Sequence, residues 1–454
     1  MNKKNFIHLV EDGLDFVIFG ITGDLAHKKL IPSIFNLYKD VSYRSKINII
    51  GIGRKEMQKE DFIKTFYPFI EESEDREMFF EKMEYFKCDF SNIEEMQSLK
   101  QELEKHCRSR IFYLSVPPLS YEEIISNIGK TGMYKNCNIH KTFIRIVLEK
   151  PFGYNLSSTK RINRKLLSIF KETQIFRIDH YLGKEPIQNI LAFRFVNNVF
   201  ENIWNKNFID KIEINLLEEI GIEKRGVFYE ETGVLIDVIQ NHCLQMLSII
   251  SMNRPRVMND ENIRKEKNNV LKKVRIKGFI KGQYVGYREE ANVSETSLRE
   301  TYLFLKLFIQ NKRWKGVTIY IKSGKELKYK DTSIKIYFKK IHQNSFVGDF
   351  SQNILNFMIH PNLGISLNFG GKVPGEEYNI TNIKMEYLYS EYFGELKSEY
   401  EKLLIDCING VQVNFSSTDE IESAWSIIDN IERKIINIDP VIYKQGSLGP
   451  EVFN

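Results

Sequence analysis

The sequence predicts a protein in two parts. The first is an N-terminal, Rossmann-type doubly wound parallel α/β sheet, and the second is a larger α+β domain with a mainly antiparallel sheet and packed helices. Three observations predict this. Short apolar runs alternate with helix-like stretches through the first 178 residues, hydrophobic alternation switches to period two after about residue 210, and the 454 residues suffice for two or three domains at roughly 100–200 residues each. The division expected from the change of period is 1–178 and 179–454.

Residues 14–20, Leu-Asp-Phe-Val-Ile-Phe-Gly, form an apolar run ending in glycine. A polar turn then leads into a helical pattern carrying Leu25, Leu30, Ile34, Phe35 and Tyr38. Further strand-like runs follow at Ile47 to Ile52, Ile111 to Val116 and Phe143 to Leu148, separated by helix-like stretches such as Tyr121 to Ile128 and Thr159 to Phe170. Strands alternating with helices predict parallel βαβ units. Beyond the change of period, Ile212/Ile214/Leu216, Val317/Ile319/Ile321, Ile334/Ile336/Phe338 and Ile365/Leu367/Phe369 alternate with mostly polar neighbours, as half-buried antiparallel strands do. Thr232 to Ser251 is apolar and long enough to be a buried helix.

Hydrophobic residues at 42% and charged residues at 28% are ordinary for a folded protein and exclude a disordered chain. A formal charge of +5 is too slight for a protein whose main task is to neutralise nucleic acid, while a small anionic ligand remains compatible. Cys88, Cys107, Cys137, Cys243 and Cys407 are odd in number and scattered, without the close pairs of a zinc site or disulfide framework, so a reducing cytoplasm is the simplest home. No apolar run reads as a membrane span, and Glu11 and Asp12 precede any signal-like stretch, so a soluble, unprocessed chain is expected.

Gly20-Ile-Thr-Gly23-Asp-Leu-Ala26 sits at the first strand-to-helix turn. Glycines there let the backbone approach a pyrophosphate, and the helix N-terminus adds N–H donors. Read alone, the turn is equally a tight turn without a ligand; opening the first βαβ unit favours a nucleotide. The second strand ends at Gly53-Arg54-Lys55, where a cation in place of an acid favours NADP over NAD, the other reading being a solvated pair. Arg177-Ile-Asp-His-Tyr-Leu-Gly-Lys-Glu185 packs two cations, an acid, an imidazole and a phenol into nine positions. Either Asp179 is salt-bridged at a strand end, or His180, Tyr181 and Lys184 form a donor cluster for a phosphate dianion. His242 shares a 3.6-residue stripe with Leu235, Val238, Ile239 and Met246, and Asp237 lies in the same stretch; core and functional readings are both open. Glu149-Lys-Pro-Phe-Gly153 ends a strand at the edge where doubly wound sheets bind ligands, with Pro151 in a turn and a cis bond as one option. Lys322-Ser-Gly-Lys325, with Lys330 beyond, places cations at another strand end, where a charged loop is the plainer reading.

Taken together and in this order, these stretches resemble the glucose-6-phosphate dehydrogenase family, from the Gly20 turn to Tyr-Lys-Gln-Gly-Ser-Leu-Gly-Pro at 443–450. The Arg177 stretch, Glu149 to Gly153 and Ile239-Gln-Asn-His242 are the most specific. The resemblance implies oxidation of the C1 hydroxyl of β-D-glucose 6-phosphate to 6-phospho-D-glucono-1,5-lactone with hydride transfer to NADP, the first step of the oxidative pentose phosphate pathway. NAD stays open as a second coenzyme, and a dehydrogenase of the same design acting on another sugar or sugar phosphate is the rival reading.

By the same resemblance, His242 is the general base for the O1 proton, and Asp179 orients the imidazole and stabilises its cation. His180, Tyr181 and Lys184 hold the phosphate, and Lys150, Glu218, Asp237, Lys325 and Lys330 line the sugar. Gly20, Thr22, Gly23, Asp24 and Arg54 bind the coenzyme, with Lys29, Lys150 and Pro151 where the two ligands meet. The resemblance implies no metal and a homodimer formed through the large second-domain sheet. Three departures stand out: His27 and Lys28 before Lys29, Lys322 where arginine is common, and short segments at Gln343 to Asp349 and Gly371 to Glu377.

Overall fold

A computed structural model of the chain describes residues 13–137, 139–340, 347–348 (backbone only), 352–375 and 379–451. The expectations about Glu11 and Asp12, and most of those about Gln343 to Asp349 and the end of Gly371 to Glu377, lie outside the described residues. Two compact units divide the chain: residues up to Gly183 with Lys397–Glu422, and Lys184–Leu396 with the segment from Ser423 onward.

The first unit is built on β1 (Leu14–Phe19), β2 (Ile47–Gly53), β3 (Met83–Lys87), β4 (Ser109–Leu114), β5 (Ile144–Glu149) and β6 (Ile175–Ile178). All neighbours are parallel, in the order β3-β2-β1-β4-β5-β6. Every residue of β1 and β4 is buried, as expected for strands covered on both faces. The order reverses beside β1, so the turns after β1 and β4 face the crevice where such sheets take ligands.

A division after residue 178 misses the return of 397–422 to this unit. Tyr400, Leu403, Leu404, Cys407 and Ile408 recur at helical spacing in Glu399–Asn409 and join Leu30, Ile34 and Phe35 in one core. Arg145 of β5 donates to the Cys407 and Ile408 carbonyls at the helix end, satisfying acceptors the helix leaves open. The cysteine reading is corrected too. Cys107 and Cys137 form a disulfide with Cα atoms 5.7 Å apart, because the ends of helices Ile93–Glu104 and Tyr121–Thr131 both return toward the start of neighbouring parallel strands. Cys88, Cys243 and Cys407 are buried and lie outside any disulfide.

The second unit carries a ten-stranded sheet made of β7 (Ile209–Leu217), β8 (Val274–Tyr284), β9 (Tyr302–Ile309), β10 (Thr318–Gly324), β11 (Asp331–Phe338), β12 (Val347–Gly348), β13 (Ile354–His360), β14 (Gly364–Lys372), β15 (Asn379–Leu388) and β16 (Val441–Tyr443). Their order is β12-β15-β14-β13-β11-β7-β10-β9-β8-β16. Most neighbours are antiparallel, but β7 and β10 run parallel, as do β12 with β15 and β16 with β8.

Against β7 and β10 packs Gly226–Ser251, which is long and apolar enough to cross a membrane, contrary to the sequence reading. Most of it (94% of its apolar window) is buried, as in a core helix. It is not one regular helix. Gly233 breaks it at φ +56, where a Cβ would overlap the Glu300 carboxylate. Leu235–Cys243 is then π-helical, and Leu244–Ser251 resumes the α form. The buried Glu300 accepts the Leu235 N–H at 3.2 Å and so caps the restart.

Candidate active site

In the first unit the Gly20 turn is tight by necessity. Gly20 has φ +79, and a Cβ on it would overlap the Ser115 carbonyl oxygen and lie 2.7 Å from Val116. Its N–H donates to the Ile52 carbonyl at 3.1 Å, and the Gly23 N–H donates back to Gly20 at 3.0 Å. Thr22, Asp24 and Lys29 around this turn are exposed. The helix opens with a π-helical stretch, Ala26–Leu30. Here His27 Nδ1 donates to the Gly23 carbonyl at 3.0 Å, while the ring stacks on Phe66 at 4.5 Å.

Arg54 is exposed at the end of β2, its guanidinium 6.0 Å from the Phe90 ring centre. The neighbouring Asp89 carboxyl is held below its ordinary range, first by the Ser91 N–H and hydroxyl and then by Arg54. A backbone cradle that a Cβ would fill, a helix start and an exposed guanidinium at the adjoining strand end fit a dinucleotide.

Two other strand ends of this sheet carry chemistry. The Lys150–Pro151 bond after β5 is cis, and both residues are half-buried. After β6, Asp179 is buried at 1% exposure. One of its carboxylate oxygens accepts the Tyr181 N–H at 3.0 Å, which fixes the carboxylate over the short turn His180–Gly183. That turn packs closely on Glu399, whose carbonyl would lie 2.6 Å from a Cβ at Gly183. The Arg177 side chain is committed to structure, bonding Glu172, Asn163 and Thr418.

In the second unit, Lys184 stands at the N-cap of helix Glu185–Val196. His242 is buried at 3% exposure within the π-helical stretch, which also carries Asp237. There i→i+5 hydrogen bonding replaces i→i+4, so Asp237 and His242, five residues apart, share a face that a 3.6-residue stripe does not give them. Asn241 mends the loosened backbone. Its amide donates to the Asp237 carbonyl at 3.1 Å and the Ile236 carbonyl at 3.4 Å, and its oxygen accepts the His242 N–H at 2.6 Å.

Parallel pairing sets Leu217 opposite Gly324, so the next residues, Glu218 and Lys325, leave β7 and β10 side by side and form an ion pair. Lys325 is buried and lies 5.8 Å from the Tyr229 ring centre. Burial, followed by the Asp237, Glu218 and Glu300 carboxylates, pushes the Tyr229 phenol well above its ordinary range. Its hydroxyl has no hydrogen-bond partner among the described residues. Glu218, Asp237 and Lys325 thus gather around Tyr229, whereas Lys330, just before β11, is exposed.

Comparison with known proteins decides the family. The family description "Glucose-6-phosphate dehydrogenase, NAD binding domain" matches residues 17–189, and "Glucose-6-phosphate dehydrogenase, C-terminal domain" matches 191–454. The chain belongs to the glucose-6-phosphate dehydrogenase family.

Glucose-6-phosphate 1-dehydrogenase from Borreliella burgdorferi is 41% identical over 96% of this chain and 95% of its own length. The Bacillus subtilis protein of the same name is 36% identical over 96% and 94%. A solved glucose-6-phosphate dehydrogenase in complex with its substrate glucose-6-phosphate matches with TM-score 0.90 and 30% identity over 97% of this chain and 96% of that one. Within this family frame, sequence reading passed over Glu300, Tyr229 and Asn241 as individual groups. Asn241 lies inside the specific stretch Ile239-Gln-Asn-His242, but neither Glu300 nor Tyr229 carries a local signal, because each matters through a residue far along the chain.

Proposed function

We propose that this protein oxidises the C1 hydroxyl of β-D-glucose 6-phosphate to 6-phospho-D-glucono-1,5-lactone, with NADP as coenzyme, as the first step of the oxidative pentose phosphate pathway. The observation that carries the reading is a pair of buried titratable groups in a chain of this family: Asp179, held at a parallel strand end, and His242, in a π-helical stretch. His242 takes the O1 proton as a general base, worth roughly 10²–10⁴-fold in rate, and Asp179 orients the ring and stabilises its cation.

His180, Tyr181 and Lys184 point donors at the phosphate dianion. Lys150, Glu218, Asp237, Lys325 and Lys330 line the sugar, with the Glu218–Lys325 pair presenting an acceptor and a donor for hydroxyls. Gly20, Thr22, Gly23, Asp24 and Arg54 hold the coenzyme, Arg54 meeting the 2′-phosphate, with Lys29, Lys150 and Pro151 where the ligands adjoin. Bound NADP supplies the hydride acceptor at nicotinamide C4. We further propose a cytoplasmic homodimer joined through the large sheet, where β15 exposes Ile383 and Met385.

The test is a reduction assay with glucose 6-phosphate, galactose 6-phosphate and glucose, each with NADP and with NAD. Glucose 6-phosphate with NADP should give the highest kcat/KM. A higher value for either other sugar supports a dehydrogenase of different specificity, and equal use of NAD overturns the Arg54 role.

A further inference from the structure

Glu149 ends β5, immediately before Lys150 and Pro151, and its side chain is only 7% exposed. Three tyrosines from three elements clamp it. Tyr113 of β4 donates to Oε1, Tyr400 of helix Glu399–Asn409 donates to Oε2 at 3.4 Å, and Tyr121, opening helix Tyr121–Thr131, donates to the backbone carbonyl at 2.6 Å. Among the described residues no guanidinium or ammonium group hydrogen-bonds this carboxyl. The charged and titratable groups that face the cluster are Lys150 on its own strand end, Asp179, Tyr154 near Tyr121, and Glu399 near Tyr400. In the parallel pairing of β5 with β6, Glu149 lies opposite Ile178, so Asp179 leaves the sheet one residue beyond it.

Burial pushes the Glu149 carboxyl up to about 7; the Tyr113 and Tyr400 hydrogen bonds and the Lys150 charge oppose this, and the Asp179 charge adds to it. Coupling between two sites is reciprocal. If the Asp179 charge holds a proton on Glu149, an ionised Glu149 strengthens the hold of Asp179 on positive charge.

We propose that Glu149 is a further positioning residue, a tyrosine-clamped carboxyl that exchanges a proton with solvent and whose charge sets how firmly Asp179 stabilises the protonated base. The inference rests on the role proposed above for Asp179. Above neutrality the ionised Glu149 adds a second negative charge behind Asp179 and raises the proton affinity of the base. Below neutrality that charge is gone.

The experiment compares the wild type with Glu149→Gln, Tyr113→Phe and Asp179→Asn over about pH 5–9. Glu149→Gln keeps the side chain's size and removes the charge carried at and above neutrality, so the part of the acid limb of kcat/KM that lies at or above about pH 7 should move to lower pH by about 0.3–1 unit, with the part below neutrality and the glucose 6-phosphate KM little changed. Tyr113→Phe removes a hydrogen bond that favours the carboxylate, so Glu149 stays protonated to higher pH. Its limb should shift the same way and less, and this variant carries the test if Glu149→Gln does not fold. Infrared difference spectra should show a protonated-carboxyl band growing as pH falls through neutrality, absent in Glu149→Gln and independent of turnover.

Unshifted limbs in the folded variants, a uniform loss of kcat without a shift, or an infrared band unchanged in Glu149→Gln each overturn the proposal. Asp179→Asn separates the two readings. Full turnover in that variant brings down the Asp179 role itself, whereas lost turnover beside an unshifted Glu149→Gln profile brings down only this inference.

Discussion

Two π-helical stretches, one in each unit, use the same backbone device for opposite ends. Ala26–Leu30 follows the glycine turn and directs His27, Lys28 and Lys29 outward, two of the three exposed. Leu235–Cys243 buries every residue but the half-buried Asp237. Both loosen the i→i+4 ladder, and each has a side chain that takes up a carbonyl: His27 bonds Gly23, and Asn241 bonds Ile236 and Asp237. The difference teaches where the charge belongs. The exposed stretch leaves Lys28 and Lys29 solvated, where they suit attraction of an anion, whereas His242 is buried at 3% exposure, where hydrogen bonds count for more.

Four measurements would break or sharpen this contrast. His242→Asn should fold, bind glucose 6-phosphate nearly as well, and lose roughly 10²–10⁴-fold in turnover; unchanged turnover would make the buried stretch a core element like any other.

Glu149 supplies a thermodynamic counterpart in the parallel sheet. The folded protein holds its proton up to about 7, whereas an unfolded chain releases it near the ordinary 4.5. Its contribution is therefore complete below about 4.5 and is lost as pH rises through 7, on the order of 3 kcal/mol in all. Denaturation at a series of pH values should show this slope in the wild type, and Glu149→Gln should remove it.

On the proposed phosphate role of Lys184, Lys184→Ala should raise KM roughly 10- to 100-fold at nearly constant kcat. A fall in kcat at constant KM contradicts that assignment.

The smallest effect separates the two stretches directly. Asn241→Ala leaves buried backbone groups without their partner and should cost about 1–3 kcal/mol, and His27→Ala, at a half-buried site, about 0.5–1.5 kcal/mol. Equal losses by chemical denaturation would mean that burial does not distinguish the two.

Much of this arrangement was legible along the chain. The parallel strands appear as short apolar runs because both faces are covered, and the glycine turn appears because only glycine tolerates the approach of Ser115 at positive φ. Asp179, His180, Tyr181 and Lys184 stand out because their density of polar groups has no packing reason. The face shared by Asp237 and His242 was not legible, since a 3.6-residue stripe presumes a regular helix and the break at Gly233 packs on Glu300, sixty-seven residues away. The stretch Gly226–Ser251 is long and apolar enough for a span by length and composition alone, and its burial in the unit explains that composition as a core helix's.

What the amino-acid order determined by itself was therefore local: strand or helix from period, turns from glycine, and the residue types available at each strand end. Tertiary structure alone decided which of those ends became neighbours. It paired Glu218 with Lys325 through the register of β7 and β10, returned Glu399–Asn409 to the first sheet, joined Cys107 to Cys137, and closed Tyr113, Tyr121 and Tyr400 around Glu149. The reason is physical. Backbone propensity and side-chain spacing act over a few residues, whereas burial of a carboxyl, and hence its proton affinity, depends on groups that only the packed sheet brings within reach.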